Sequence, residues 1–579
     1  MRAISVNLPM CFALFTPVVV GACACGCGSS KAAVGTGPKI GTTASTDARG
    51  VPTSTGPKYY LSDCQTGALP ACIPGDDSND GTTPDAPWKT FKKALDSLGD
   101  STPPGQQYFF ARGGSFQHST NVRLSDVNSM RDNPILFDAY TPSWASDSSN
   151  PPIITVTAAN VSAFDFQNGG NATHDEGYVI RNLDLRGSGK AQYGISLYND
   201  VDYVVMENLS ISGFAAGLQV GTANAPAAQG SDTSNDNYVL RNSKIFNNFG
   251  MGFLGSGDNF IIENNVFDNN GFAQAVFNHN IYVNSETNAT NSVIRKNTLT
   301  HSTMVNGKCS GVSLVVHGAT NGLLIENNRI QEDVGAVTGG CYGIAVDPGG
   351  YGHSEGFPGT VIRGNWVINV GNVGIGASAC PNCVIENNVV IEEQAGIGFN
   401  GIMIPIQVRN PGDAAEGNAT IRNNSIYLSP AVDYGTGIYM GYEGSSHLVV
   451  SNAIHYLGSG NPFYNGWTCF DTTGLAPSAF RAFDNNLCDF PNARAARWEK
   501  TAGALQDWQT KSNGLDAASR QDDPRYRSPG VPDYDLSIPS ADSPAINAGH
   551  ASLSSPVDIT GRTRDAKPDI GAYERAQTP

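Results

Sequence analysis

The middle of the chain repeats one short pattern of apolar and polar positions. Apolar residues precede a polar or charged residue and an Asn, and alternating apolar positions follow, as in Phe260-Ile-Ile-Glu-Asn-Asn-Val-Phe267. Copies lie as close as 22 residues apart, from Asn242 to Asn264, and longer gaps contain Gly, Ser, Asp and Asn residues typical of loops. The recurring residues are Asn182, Asn208, Asn242, Asn264, Asn297, Asn327, Asn365, Asn387, Asn423 and Asn452.

A second short segment lies between most copies and often opens with Gly, as in Gly311-Val-Ser-Leu314 and Gly343-Ile-Ala-Val346. Its alternation predicts a half-buried strand. A unit of about 22 residues cannot bury its own apolar face, so such units must stack. We predict parallel coils about 4.8 Å apart, with the Asn of each coil bonded to the Asn of the next. Separate strands in an antiparallel sandwich are the alternative, but they give no reason for an Asn in register.

The repeat resembles that of the right-handed parallel β-helix superfamily, the pectate-lyase-like fold, over most of the chain. The resemblance implies an all-β, right-handed parallel β-helix solenoid with an N-terminal helical cap and an irregular C-terminal cap. Helical spacing of Trp88, Phe91, Leu95 and Leu98 predicts the first cap, which is similar to that of secreted β-helix carbohydrate enzymes. The run from Asp523 to Glu574 resembles the tail of many bacterial extracellular β-helix proteins, and we expect a salt-bridged cap there rather than a catalytic cluster.

The N-terminus predicts export. Residues 1–22 have the charge and apolar run of a secretory signal, and Val20-Gly-Ala-Cys23 resembles a bacterial lipobox with Cys23 as the lipidated residue. Ordinary signal cleavage is the alternative. We expect an outer-membrane or cell-surface lipoprotein or an extracellular protein, monomeric and touching membrane only through this anchor. The predicted divisions are a signal at 1–22, a flexible linker at 23–57, a cap at 58–118, coils at 119–465, and last coils with a C-terminal cap at 466–579.

The net charge of the chain disfavours some classes of binding partner. The net charge of −17 argues against nucleic acid and anionic membrane surfaces. A polyanionic substrate would need a cation or local basic groups. No cofactor is required by the sequence, and Ca²⁺ is the one left open.

Eight of the twelve cysteines follow residue 57, an even number that predicts disulfides in an exported chain. Stacked strands would place Cys309 above Cys341. A disulfide is favoured over a metal site at Cys380 and Cys383. Proximity pairs Cys64 with Cys72 and Cys469 with Cys488.

Candidate chemistry lies on outward positions of the second strands. We align the second strands of three successive coils so that Ile281, Val312 and Ile344 stack and point inward. Alternate positions then point outward and form three columns of stacked side chains. These are Tyr282, Ser313 and Ala345; Asn284, Val315 and Asp347; and Glu286, His317 and Gly349. Tyr342 and His353 border this face, and His279 lies at its edge. An enzyme would hold these side chains in a groove walled by loops 221–237 and 331–341, whereas a structural module would scatter them on a solvated face.

These residue types suit acid–base chemistry on a sugar. We predict His317 or His279 as the base and Tyr282 or Tyr342 as the partner acid. Asp347 and Glu286 would contact substrate or a cation, or would act as the carboxylate pair of a hydrolase. His353 and Asn284 would bind substrate.

Motif comparison favours no single activity. Tyr342, Gly343, Asp347, Pro348 and His353 resemble the compact Tyr-Gly-Phe-Asp-Pro-His run of mannuronan epimerases, with extra residues before the Asp and before the His. The signature set of polygalacturonases is absent, and no lysine adjoins an Asp cluster as in calcium-dependent pectate lyases. We expect an exported protein acting on a polysaccharide, with a lyase or epimerase slightly favoured over a glycoside hydrolase. A non-catalytic adhesin or polysaccharide-binding solenoid is the alternative.

Overall fold

The computed structural model describes residues 50–145, 150–168, 171, 173–221, 234–350, 353–458, 468–472, 474–490, 496–498 and 501–575. These belong to one structural unit, Gly37–Pro579. The other unit, Met1–Thr36, lies outside the described residues, and so do the predicted signal, Cys23 and most of the linker.

Short strands make up most of this part of the chain. The first half contains β1 (Lys58–Leu61), β2 (Gln107–Ala111), β3 (Ser115–His118), β4 (Arg123–Ser125), β5 (Ile135–Tyr140), β6 (Ile153–Val156), β7 (Phe164–Gln167), β8 (Tyr178–Arg181), β9 (Asp184–Tyr198), β10 (Val204–Glu207), β11 (Ser210–Gly221), β12 (Val239–Arg241), β13 (Lys244–Phe246), β14 (Met251–Gly255), β15 (Ile261–Glu263), β16 (Val266–Asp268), β17 (Ile281–Thr290), β18 (Val293–Arg295), β19 (Thr298–Thr300), β20 (Met304–Val305) and β21 (Lys308–Cys309). The second half contains β22 (Val312–Asn321), β23 (Leu324–Glu326), β24 (Arg329–Gln331), β25 (Tyr342–Val346), β26 (Val361–Arg363), β27 (Trp366–Ile368), β28 (Val373–Ala377), β29 (Val384–Glu386), β30 (Val389–Glu392), β31 (Phe399–Ile404), β32 (Thr420–Arg422), β33 (Ser425–Leu428), β34 (Gly435–Met440), β35 (His447–Val450), β36 (Ala453–Tyr456), β37 (Thr468–Asp471), β38 (Phe480–Asp484), β39 (Leu487–Asp489), β40 (Ala496–Trp498), β41 (Thr501–Gly503) and β42 (Arg520–Gln521). The helices are α1 (Phe91–Asp96), α2 (Leu505–Lys511) and a 3₁₀ turn at Pro477–Ala479.

The strands form three parallel ladders, so the chain is a right-handed parallel β-helix. Sheet one has 14 strands in the order β1-β2-β5-β8-β10-β12-β15-β18-β23-β26-β29-β32-β35-β38. Sheet two runs from β3 through β13, β16 and β36 to β42, and sheet three runs from β4 through β14, β17, β22 and β25 to β40. The long strands β9 and β11 belong to both. Parallel pairing thus already begins at β1, inside the predicted cap region.

A buried Asn ladder fixes the bend after sheet one in eight successive coils, from β15 to β38. Each side-chain amide donates to the side-chain oxygen of the next Asn, at 2.9–3.1 Å. The members are Asn265, Asn297, Asn328, Asn365, Asn388, Asn424, Asn452 and Asn486.

The predicted Asn row mixes two structural positions, which corrects its register. Only Asn297, Asn365 and Asn452 of the predicted set belong to the buried ladder. The other seven take the preceding, left-handed position, with φ between 52° and 61°. Asn tolerates that conformation better than most residues, which explains the second row.

A column of alternating charge lies on the outer face of sheet one. Salt bridges join Arg241 to Glu207 at 2.9 Å, Arg295 to Glu263 at 2.7 Å and Arg363 to Glu326 at 2.8 Å. In order of the coils, the column is Arg181, Glu207, Arg241, Glu263, Arg295, Glu326, Arg363, Glu386 and Arg422.

Both ends of the apolar interior carry a helix. In α1, Phe91 and Leu95 are buried, and Thr90 caps the helix by accepting from the Lys93 N–H. In α2, Trp508 packs edge-on against Phe483, with ring centroids 5.2 Å apart. Among the described residues, no helix is long and apolar enough to cross a membrane.

The tail after β42 lies along the flank of sheet two. Its Leu536 and Ile559 pack against Ile391 and Tyr427, which are outward residues of that sheet. A buried salt bridge joins Arg564 to Glu574 at 3.0 Å. The tail therefore covers the side of several coils in addition to any role at their end.

The four predicted cysteine pairs are disulfides in the structure. Cα atoms lie 5.8 Å apart for Cys64–Cys72, 5.3 Å for Cys309–Cys341, 5.5 Å for Cys380–Cys383 and 5.9 Å for Cys469–Cys488.

Candidate active site

The register of sheet three differs from the predicted one by two residues in β22. Leu314, rather than Val312, pairs with both Ile281 and Ile344. The prediction aligned two strands that each follow a Gly, Gly311 and Gly343, but Val312 pairs with Tyr342, so these glycines are two residues out of register. As a result, His317 pairs with Asn284, and Asp347 follows directly on the paired Val346. The outward column is therefore Asn284, His317 and Asp347.

His317 and Asp347 are in direct contact. Nδ1 of His317 lies 2.6 Å from the backbone oxygen of Asp347 and 3.7 Å from its Oδ1. A carbonyl oxygen can only accept, so Nδ1 carries the proton in this bond. In the neutral ring, Nε2 is then the nitrogen that accepts a proton.

Asp347 is a destabilised carboxylate. Burial raises the pKa of Asp347, the charge of His317 opposes the shift and that of Glu355 adds to it, with a resulting pKa of about 6. Its Oδ1 is buried and has no hydrogen-bond partner, and the same holds for Oδ1 of Asn284. A buried polar atom without a partner costs about 1–3 kcal/mol. A polar ligand that bonded to these two oxygens would remove that cost.

Tyr282 lies between the two histidines. Its ring meets that of His317 edge-on at 5.5 Å and that of His279 at 5.3 Å. Burial, then the charges of Glu355 and Asp347, raise the pKa of Tyr282, so its hydroxyl stays protonated at neutral pH. The Tyr282 hydroxyl can thus donate a hydrogen bond at neutral pH.

His279 is set back from the face. It is 4% exposed, and its Nδ1 lies 3.0 Å from the backbone oxygen of Val312. Burial lowers the pKa of His279 to about 3. A ring with so low a pKa is a weak base at neutral pH, so His279 is poorly suited to abstract a proton. Its contact with Val312 gives it a structural role instead, between β17 and β22.

The remaining predicted residues are spread around this centre. Tyr342 pairs with Val312 on β22, its hydroxyl accepts from the Asn372 amide at 3.2 Å, and burial raises its pKa. His353 is exposed. The side chain of Glu286 and residues 222–233 of one predicted wall lie outside the described residues.

Glu355 is a site residue that the strand pattern did not reveal. Its carboxylate accepts the backbone N–H groups of Gly318 and Gly349 at 2.7 Å and of Gly350 at 2.8 Å. Gly318 has φ of +90°, and a Cβ there would lie 1.9 Å from the Ser285 oxygen. Glu355 therefore fixes the bends directly after His317 and Asp347. It lies in a loop whose sequence has no periodic pattern of apolar residues. The glycines around it indicate a turn and were the one signal for a carboxylate that binds backbone N–H groups.

Comparisons with known proteins concern the fold. No protein-family model and no curated protein matches the chain. Among solved structures, pectate lyase Pel9A is 13% identical with a TM-score of 0.33, covering 90% of this chain and 98% of its own. The Dettilon tailspike protein is 15% identical with a TM-score of 0.44, covering 73% and 70%. The A-module of the Azotobacter vinelandii mannuronan C-5 epimerase AlgE4 is 13% identical with a TM-score of 0.35, covering 65% and 89%. At these identities and TM-scores, the similarity does not bear on activity.

Proposed function

We propose that this protein is an exported, carbohydrate-active β-helix protein that abstracts a proton from a uronate-containing polysaccharide, as a lyase or epimerase. The contact between His317 Nδ1 and the Asp347 carbonyl oxygen carries the proposal. It fixes the tautomer, because the protonated Nδ1 makes Nε2 the basic nitrogen of the neutral ring.

The neighbours of His317 supply the other roles. In elimination or epimerisation, a base removes the proton next to the sugar carboxylate, and an acid delivers a proton to the leaving oxygen or to the opposite face. Tyr282 is placed for the acid role because its ring lies edge-on to that of His317 at 5.5 Å, and burial keeps its hydroxyl protonated. Asn284, beside His317 in the register, suits an amide contact to the substrate.

Hydrolysis is less well supported by this arrangement. A glycosidase of the usual kind needs two carboxyl groups facing the scissile bond. Asp347 is one carboxyl at this face, but the nearby Glu355 binds three backbone N–H groups and fixes two turns. A base and a phenol are therefore better matched to the site than a carboxylate pair.

The test is a substrate screen with the full chain. Alginate, pectate, chondroitin and neutral glycans would be supplied with and without calcium. Ultraviolet absorbance of unsaturated products, new reducing ends and uronate stereochemistry by NMR would be followed together. We expect absorbance or inversion at the uronate carbon, and its loss in His317→Ala.

The matched control is His301→Ala. His301 lies outside this site and is held by Asp268 and Asp333, so its removal should leave turnover unchanged. Reducing ends without unsaturation would contradict the proposal in favour of hydrolysis. Binding without any turnover would favour a polysaccharide-binding solenoid.

Export with lipidation of Cys23, a single N-terminal anchor and a monomeric state are also proposed. The lipobox-like sequence and four disulfides support an oxidising, extracytoplasmic location. Cys23→Ser should move the protein from the membrane fraction to the soluble fraction. Unchanged fractionation would contradict the anchor.

A further inference from the structure

A second group of chemically competent side chains lies on a different sheet, where the tail lies along sheet two. Tyr427, His455 and Asp489 form one outward column in the register of β33, β36 and β39. The His455 ring stacks on Tyr427 at 5.7 Å, and Tyr526 of the tail meets it edge-on at 6.2 Å. The two aromatic rings hold the imidazole in one orientation and leave His455 only 9% exposed.

Two carboxylates converge on one nitrogen of this ring. Nδ1 of His455 lies 2.9 Å from Oδ2 of Asp489 and 3.3 Å from Oδ1 of Asp523. Neither contact has the alignment of a hydrogen bond, and Nδ1 is a buried nitrogen without a hydrogen-bond partner. Short distances without directional bonding are what an ion placed between the three donors would explain.

His301 provides an internal contrast, because it also faces two aspartates. Its Nδ1 is bonded to Asp268 at 2.7 Å and its Nε2 to Asp333 at 3.3 Å. The two carboxylates thus occupy opposite ring nitrogens, both in hydrogen-bond geometry. That arrangement is a bridged ion pair and cannot gather three donors around one ion.

We propose that His455, Asp489 and Asp523 bind a divalent transition-metal ion of the zinc class. Zinc bonds to imidazole nitrogen and carboxylate oxygen at about 2.0–2.2 Å, which sets neighbouring donors about 3.3 Å apart in a tetrahedron. The observed separations of 2.9 and 3.3 Å are close to that spacing, and all three donor atoms lie within 4.8 Å of one another. An imidazole donor favours zinc over calcium, which takes six to eight oxygens.

The ion would join the tail to the coils. Asp489 belongs to β39, whereas Asp523 follows β42 and is the more exposed donor, with a side chain 51% exposed. Three protein donors leave the fourth position to water. Next to the site, the Tyr526 hydroxyl donates to the backbone oxygen of Ala453 at 3.0 Å. Metal binding should therefore stabilise the docked tail by mass action.

The test is a zinc titration of the metal-free full chain by calorimetry, with thermal unfolding as a second readout. Cys11, Cys23, Cys25 and Cys27 would first be alkylated, since thiols there would also bind zinc. We expect saturable binding with a dissociation constant in the micromolar range or below and a higher Tm with zinc.

Variants assign the binding to this site. Asp523→Asn keeps the shape of an exposed residue and should weaken binding at least about tenfold and reduce the Tm shift at the same zinc concentration. His455→Ala should do the same, and His301→Ala should match the wild type. Failure of the wild type to bind zinc, or binding by Asp523→Asn and His455→Ala as tight as that of the wild type, would overturn the proposal and leave an ion pair.

Discussion

Replacing Asn365 by Ala would test whether the buried Asn ladder carries the stability of the coils. Oδ1 of Asn365 accepts the backbone N–H of Asn328 at 2.9 Å and its side-chain amide at 3.0 Å. Nδ2 of Asn365 donates to the Ile325 oxygen and to Oδ1 of Asn388, each at 3.0 Å. Ala retains none of these four bonds.

The expected cost follows from which groups lose their partners. The Asn328 N–H is buried and loses its acceptor, at about 1–3 kcal/mol. The Asn328 amide keeps its bond to Ile294, and Asn388 Oδ1 keeps the backbone N–H of residue 365, so those losses are partial. With about 1 kcal/mol for each partial loss, the free energy of unfolding should fall by about 4 kcal/mol.

Urea unfolding of the full chain would measure this loss as a lower midpoint with an unchanged slope. The matched control is Asn264→Gly, because Asn264 is exposed and has φ of 55°, which Gly adopts freely. The control should stay within about 0.5 kcal/mol of the wild type. A loss below about 1 kcal/mol for Asn365→Ala, or one equal to the control, would refute a stabilising role for the ladder.

Three further changes test other parts of the molecule. Because the pKa of Asp347 is about 6 in the folded state and about 3.9 unfolded, this carboxyl lowers stability as pH rises through that interval. Asp347→Asn should therefore raise the free energy of unfolding by on the order of 2 kcal/mol at pH 8 and hardly at pH 4, and equal effects at both pH values would contradict the assigned burial. Glu263→Arg places like charges beside Arg241 and Arg295 and should cost about 1 kcal/mol, reduced in about 1 M salt; a salt-independent loss would point to packing instead. Replacing both Cys309 and Cys341 by Ala opens a loop of 32 residues and should cost about 4 kcal/mol in urea, whereas no loss would mean that packing alone holds this loop.

The sequence predicted the fold well because each coil carries its own signal. Apolar alternation and the recurring Asn both follow from the need to stack, so parallel coils could be inferred without tertiary information. The two Asn rows could not be separated, because Asn264 and Asn265 are neighbours of the same type with different backbone conformations. The alternating Arg and Glu before each Asn was visible in the sequence, but its meaning depends on strand pairing.

The candidate site was predicted in part. His317, Asp347, Tyr282 and Asn284 do lie together, yet the assumed pairing of Val312 with Ile281 was wrong by two residues. The two strands were aligned on Gly311 and Gly343, which precede similar segments, but periodicity does not encode which residue of a strand is paired first. His279 is buried, and Glu355 accepts three glycine N–H groups, through contacts with segments distant in the sequence. The pattern of neighbouring residues cannot show such contacts.

The charge column of sheet one constrains how such a solenoid can change its length. Because Arg and Glu alternate from Arg181 to Arg422, deletion or duplication of a single coil would bring two equal charges into contact. Removal or insertion of two coils would preserve every attraction. The column thus acts as a parity rule, under which the solenoid grows or shrinks most easily in steps of two turns.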